Sequence, residues 1–205
     1  MGKKLSKYSI RERQIIAQEA ARIIVGHGIH NYSHAKQKAA HRLNMSSSGS
    51  LPSNEEIEVA IAEQLKIFDA EDHIKLLEKM RTTALVLMQA IDDFSPRLVG
   101  SVLKGTSDKN SKINIHVFID SPELLAIKIH DMGIKFKSYD RKLKTFKKIT
   151  AIYPGFEFSF NDERFQVTTF PYDGIRQAPI SPIDGKPMQR ADIKALRKLL
   201  KINWS

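Results

Sequence analysis

The chain has 205 residues, no cysteine and a formal net charge of +10. This length fits one domain, or one domain with a helical annex, and a hydrophobic content of 41% is enough to form a core. The absence of cysteine excludes disulfides and thiolate-bound zinc or iron–sulfur sites. No apolar run approaches the roughly 20 residues that span a bilayer, and the basic start of the chain does not resemble a secretory signal. We therefore expect a cytoplasmic protein with no membrane partner.

The first part of the chain has the apolar periodicity of helices. Two pairs, Ser9 with Glu12 and Ser53 with Glu56, have the spacing of a capping box, in which each side chain binds a free backbone N–H of the first helical turn. Residues 1–70 are thus predicted to form a helical N-terminal region. The predicted helices cover about 9–26, 33–43, 53–68 and 72–94.

Beyond residue 96 the apolar period changes to two residues, which is typical of strands. The predicted elements are, in order, a strand running into a loop (97–101), a second strand (112–119), a helix (122–132), strands between 134 and 170 with a hairpin turn at Asn161-Asp162, a Pro-rich arm (171–189) and a helix (191–201). The predicted fold class is α+β. Its helical N-terminal part is expected to pack on a mixed β-sheet with flanking helices, which forms a second domain over 71–205.

Most of the positive charge lies in the second half of the chain. Residues 96–205 contain 20 Lys and Arg residues against 11 Asp and Glu, whereas residues 1–95 contain 13 against 12. An excess of one sign attracts polyanions, so a nucleotide or a nucleic acid is a candidate partner. The same excess also promotes solubility, and net charge alone does not separate the two interpretations.

One segment carries a recognisable motif. Gly100-Ser101 ends a predicted strand, Gly105 follows four residues later, and Ser111 begins the next strand. This spacing resembles the signature of the nucleotidyltransferase superfamily in its minimal, bacterial form, in which Ser-Asp-x-Asp begins the second strand. The resemblance covers about residues 80–170. It implies a nucleotidyltransferase-like sheet and a cleft that binds the phosphates of a nucleotide.

The sequence departs from that family at the metal site. Lys112 and Asn114 stand where the family's two aspartates hold Mg²⁺, and the later strand, 165–170, carries no Asp or Glu. A lysine opposes cation binding, and neither Asp108 nor Asp120 restores two carboxylates at i and i+2. We therefore predict no catalytic residues, no metal and no other cofactor.

The strand face that replaces the metal site is still a candidate phosphate site. Alternation places Lys112, Asn114 and His116 on one face, which corresponds to the nucleotide cleft of the family. The candidate phosphate- or nucleotide-binding residues are Gly100, Ser101, Gly105, Ser111, Lys112, Asn114 and His116. The alternative is that this strand is a sheet edge with a solvated face, on which lysine guards against aggregation.

A second candidate is a basic run interleaved with the aromatic residues Phe136, Tyr139 and Phe146. Basic and exposed aromatic side chains together suit single-stranded nucleic acid. The alternative is a hairpin whose lysines face water and whose aromatics face the core. The candidate nucleic-acid-binding residues are Lys135, Lys137, Arg141, Lys142, Lys144, Lys147 and Lys148.

The function predicted from these features is that of a non-catalytic, nucleotidyltransferase-like protein that binds a phosphate-bearing ligand. Two alternatives stay open. One is an active nucleotidyltransferase that uses unconventional metal ligands. The other is a structural or interaction protein with a vestigial cleft. The sequence does not indicate an oligomeric state.

Overall fold

The protein is described by a computed structural model, which covers residues 10–27, 31–45, 51–68, 70–145 and 149–201. Helices and strands are both present, which confirms the predicted mixed α+β class. Among these described residues, none of the helices combines the length and the apolar character that crossing a bilayer requires.

The chain divides into two compact units. The N-terminal unit comprises residues 1–73 and 182–184, and the sheet unit comprises residues 74–181 and 185–205. The N-terminal unit contains α1 (Ile10–His27), α2 (Tyr32–Arg42), α3 (Asn54–Phe68) and the start of α4 (Ala70–Ala90). Its core consists mainly of small and β-branched side chains, which allow close approach of the helices; among them are Ile16, Ala20, Ala35, Ala39 and Ile57.

The capping box predicted for α3 is confirmed. The Ser53 backbone N–H donates to Glu56 Oε2 at 2.5 Å, and the Glu56 N–H donates to Ser53 Oγ at 3.1 Å. Helix α2 begins one residue earlier than predicted, because Asn31 caps it by accepting a hydrogen bond from the His34 N–H at 3.1 Å. The capping box predicted at Ser9 lies outside the described residues.

The sheet unit contains most of α4 and all the strands. Its other elements are β1 (Arg97–Val99), α5 (Gly100–Lys104), β2 (Ile113–Phe118), α6 (Pro122–Asp131), β3 (Phe136–Lys144), β4 (Thr150–Phe160), β5 (Glu163–Phe170) and α7 (Ile193–Leu199), with 3₁₀ turns at Asp92–Phe94 and Tyr172–Arg176. The prediction of a strand running into a loop over 97–101 is corrected at its end. The strand stops at Val99, because Gly100 has a φ of +78° and starts the short helix α5.

The five strands form one sheet in the order β1-β2-β5-β4-β3. Strand β2 is parallel to β5, and the other neighbours are antiparallel. Since β2 lies between β1 and β5, the alternative that it is an edge strand is wrong. The turn predicted at Asn161-Asp162 joins β4 to β5, and both residues have positive φ.

Helices cover one face of the sheet. Ile113, Ile115 and Val117 of β2 are fully buried there, in a cluster that includes residues of α4, α6 and α7. The alternating residues therefore lie on the opposite face, which includes the predicted site residues Lys112, Asn114 and His116.

Candidate ligand-binding face of the sheet

Polar side chains lie in register across the sheet face opposite the helical core. We call this surface the polar face; its residues are Lys112, Asn114, His116, Tyr139, Arg141, Glu157, Gln166 and Thr168. Asn114 is opposite Gln166, which in turn is opposite Glu157. His116 is buried and opposite Thr168 in the next row. Four strands thus contribute to one continuous surface.

Lys112 is paired with a carboxylate. Its Nζ lies 2.8 Å from Glu157 Oε1, and Gln166 Nε2 donates to Glu157 Oε2 at 3.0 Å. The lysine side chain reaches across β5 to β4, which is the direction away from β1 and from the Gly100-Ser101 segment. Its charge is therefore compensated within the protein by Glu157, a residue that the sequence motif did not single out.

Hydrogen bonds from Lys112 and Gln166 hold the pKa of the Glu157 carboxyl below its ordinary value. A lowered folded-state pKa means that this pair stabilises the fold above the unfolded pKa and that the stabilisation is lost as the pH falls through the folded pKa. Because both side chains are partly exposed, we expect less than about 1 kcal/mol from the pair.

We expect K112A to raise the pKa of Glu157 toward its ordinary value, as measured by an NMR titration of its carboxyl carbon. K137A is the matched control, because Lys137 lies opposite Glu157 on β3 but makes no ion pair with it. An equal rise in both variants would mean that the Lys112 contact does not set this pKa.

Asn114 links the Gly100 segment to a third strand. Arg141 Nη1 donates to Asn114 Oδ1 at 2.7 Å, and Asn114 Nδ2 donates to the Lys112 carbonyl at 2.9 Å. A Cβ added at Gly100 would lie 3.6 Å from Asn114 Nδ2, in ordinary van der Waals contact, so Asn114 lies beside the Gly100 segment. The structure therefore brings together Gly100, Asn114 and Arg141, of which Arg141 had been predicted only as part of the basic run.

The other predicted phosphate ligands have local roles in the loop. The Ser101 carbonyl accepts hydrogen bonds from the N–H groups of Gly105 and Thr106, at 2.7 and 3.0 Å. Gly105 ends α5 with a φ of +85°, which favours glycine. Ser111 Oγ donates to Asp108 Oδ1 at 2.8 Å, and the buried pair fixes the turn before β2. Thus the Ser111 hydroxyl is engaged within the loop.

Tyr139 lies over β4 and contacts β5. Its hydroxyl is 2.8 Å from Thr168 Oγ1, and its ring occupies the space above Gly155. A Cβ at Gly155 would be 2.6 Å from Tyr139 Cζ and 2.6 Å from the Val167 carbonyl oxygen. Gly155 is therefore what allows the edge strand β3 to place Tyr139 on the polar face.

His116 is fully buried and contacts Arg190, the residue that follows the Pro-rich arm. Arg190 Nε donates to His116 Nδ1 at 3.3 Å. Burial, together with the charges of Arg190 and Arg141, holds the pKa of His116 well below its ordinary value, so the imidazole is neutral at neutral pH. The sequence motif did not point to Arg190, since no pattern in the residues around it connects it to β2.

The predicted basic run is divided between the two faces of β3. Lys137 and Arg141 share the face of Tyr139, whereas Lys142 and Lys144 lie on the other face and are exposed. Lys135 is exposed just before the strand, while Phe146, Lys147 and Lys148 lie outside the described residues. Phe136 packs edge-on against Phe156, with ring centroids 5.1 Å apart. Neither Phe136 nor Tyr139 offers a free ring for base stacking.

No protein-family model matches the chain, and no match was found among curated proteins or among solved structures. In the described part of the chain, no three His, Asp or Glu side chains are grouped as metal ligands. The local chemistry of the polar face is therefore the basis for a functional proposal.

Proposed function

We propose that the protein is a non-catalytic relative of the nucleotidyltransferases and that its polar face binds a phosphate-bearing ligand, specifically a nucleotide. Support comes from the β1–α5–β2 segment, in which Gly100 and Ser101 follow one strand and Ser111 precedes the next strand, as in the motif that carries the resemblance. It also comes from the position of Asn114, which replaces the second aspartate, beside the motif glycine Gly100.

The observation that carries the proposal is the ion pair between Lys112 and Glu157, at the place where the resemblance implies a metal. A carboxylate that is neutralised by a lysine does not need a cation, so this face binds phosphate without Mg²⁺. Arg141 supplies the positive charge, because its hydrogen-bond partner Asn114 is neutral. A guanidinium has five N–H donors, which leaves donors for a phosphate group.

Nucleotide binding tests the proposal. We expect purified protein to bind a nucleoside triphosphate in the absence of metal, as measured by isothermal titration calorimetry. Added Mg²⁺ should leave the affinity unchanged or weaken it, because chelation reduces the phosphate charge. R141A should weaken binding by about 1.5–3 kcal/mol, the range for a hydrogen bond to a charged group. K142A, an exposed neighbour on the other face of β3, is the control and should bind normally.

Two results would replace the proposal. Absence of nucleotide binding by folded protein would favour the vestigial cleft, in which the hydrogen bonds of the polar face are purely structural. Mg²⁺-dependent nucleotide transfer that is abolished by D108A or D120A would favour the active enzyme with unconventional ligands.

A further inference from the structure

Arg190 is held rigidly on the polar face without a carboxylate partner. Besides the bond to His116, its Nη1 donates to the Gly174 carbonyl at 2.9 Å. Its guanidinium lies over the rings of Phe118 and Phe170, 4.8 and 5.2 Å from their centroids. Nη2 is buried and has no hydrogen-bond partner. One nitrogen of an otherwise fixed cation, with two N–H donors, is therefore unused.

His116 presents a second unused donor, on the side of the imidazole ring away from Arg190. Since Nδ1 accepts from Arg190, the proton of the neutral imidazole is on Nε2. Nε2 is buried and has no partner in the described structure, and the side chain has 0% exposure. Buried donors without an acceptor cost free energy, and native structures rarely leave two in adjacent side chains. Each of the two side chains therefore has a donor that an oxygen ligand would satisfy.

The surrounding charge indicates the kind of ligand. Arg97 is opposite His116 on β1, and Arg141 binds Asn114, two residues before His116 on the same face. None of Arg97, Arg141 and Arg190 forms an ion pair with an Asp or Glu in the described part of the chain. Burial and the charge of Arg97 lower the pKa of Arg190 to about 10. Three uncompensated cations favour a multiply charged anion over a single carboxylate.

We propose that Arg190 and His116, flanked by Arg97 and Arg141, form a binding site for a phosphate group. The site accepts either free phosphate or the phosphate of a small organic ester, because both present the same acceptor oxygens. It goes beyond the nucleotide-binding proposal, since Arg190 lies outside the segment that resembles nucleotidyltransferases and the site requires neither Lys112 nor Gly100.

The test uses the full-length protein with inorganic phosphate as the probe. We expect millimolar phosphate to shift the His116 Nε2–H signal in long-range ¹H–¹⁵N spectra and to raise the melting temperature, whereas chloride at equal ionic strength does neither. R190Q should weaken phosphate binding at least tenfold. R176Q, an exposed arginine in the neighbouring 3₁₀ turn, is the matched control and should bind like the parent protein. Comparing inorganic phosphate with a nucleoside 5′-monophosphate separates the two sources, since tighter binding of the ester identifies an ester site. The nucleoside without phosphate is the control.

The outcomes separate this inference from the nucleotide-binding proposal. A His116 signal that does not respond to phosphate overturns the inference, and this measurement on the parent protein holds even if R190Q fails to fold. Equal phosphate affinity of folded R190Q and R176Q also overturns it. Two results would overturn the nucleotide proposal alone, provided that phosphate still binds. One is the absence of nucleotide binding, and the other is nucleotide binding that R141A does not weaken.

Discussion

We expect G155A to destabilise the sheet unit by about 2–3 kcal/mol, the cost of overpacking a site that cannot expand. The added methyl group would lie 2.6 Å from the Tyr139 ring and 2.6 Å from the Val167 carbonyl oxygen. The carbonyl belongs to the ladder between β4 and β5, so it cannot move without weakening the pairing. Chemical denaturation followed by circular dichroism measures the loss.

The control for this change is S159A, at an exposed position of the same strand, which should alter stability by less than about 0.5 kcal/mol. The double variant G155A/Y139A separates the two clashes. Removing the ring relieves only one of them, so part of the destabilisation should remain. If G155A lowers the free energy of unfolding by no more than S159A does, the sheet has more room above Gly155 than the structure indicates.

The second large effect concerns metal binding. K112D/N114D places two carboxylates on one face of β2 and frees Glu157 from Lys112. We nevertheless expect no Mg²⁺ or Mn²⁺ binding by this variant, because Arg141 Nη1 lies 2.7 Å from Asn114 Oδ1 and would pair with the new carboxylate. Adding R141A removes that competitor. The triple variant should then bind Mn²⁺ with a dissociation constant on the order of 10⁻⁴–10⁻³ M, the weak end of protein oxygen sites.

Electron paramagnetic resonance of free Mn²⁺ measures Mn²⁺ binding by the triple variant directly. At ten times the dissociation constant, binding should stabilise the folded triple variant by about 1.4 kcal/mol. K112A/N114A/R141A removes the same side chains without adding carboxylates and is the matched control. Equal Mn²⁺ binding by the two triple variants, or none by folded K112D/N114D/R141A, would mean that β2 and Glu157 do not have the geometry of a metal site.

Local patterns predicted much of the sheet unit. The alternation around Ile113 and Asn114 predicted a strand and its two faces, since a period of two follows from strand geometry. The turn at Asn161-Asp162 could also have predicted Glu157, because a two-residue turn fixes the register and places Glu157 opposite Gln166. The position of Glu157 on the polar face could thus have been predicted from the sequence.

Other parts of the site depend on long-range contacts that sequence periodicity does not predict. Arg190 is 74 residues from His116. It approaches His116 because the chain before it passes from β3, where the Ile180 N–H donates to the Lys144 carbonyl, to β1, where Ala191 pairs with Leu98. The reach of Lys112 to β4 follows from the insertion of β5 between β2 and β4, which is a matter of strand order. Sequence periodicity does not give strand order, so Lys112 was predicted to bind phosphate. In the structure it forms an ion pair with the carboxylate of Glu157.

The polar face forms only when β2 has paired in parallel with β5. Strands β3, β4 and β5 pair with sequence neighbours, whereas β2 must close a loop that contains α6, β3 and β4 before Ile113 meets Phe165. Closing a longer loop costs more chain entropy, by about 0.6 kcal/mol for each doubling of length. Asn114 and Lys112 come from β2, and Arg141 and Glu157 come from the three-strand meander. A ligand that contacts both parts binds only the completed sheet, so its binding free energy adds to the free energy that holds β2 in place.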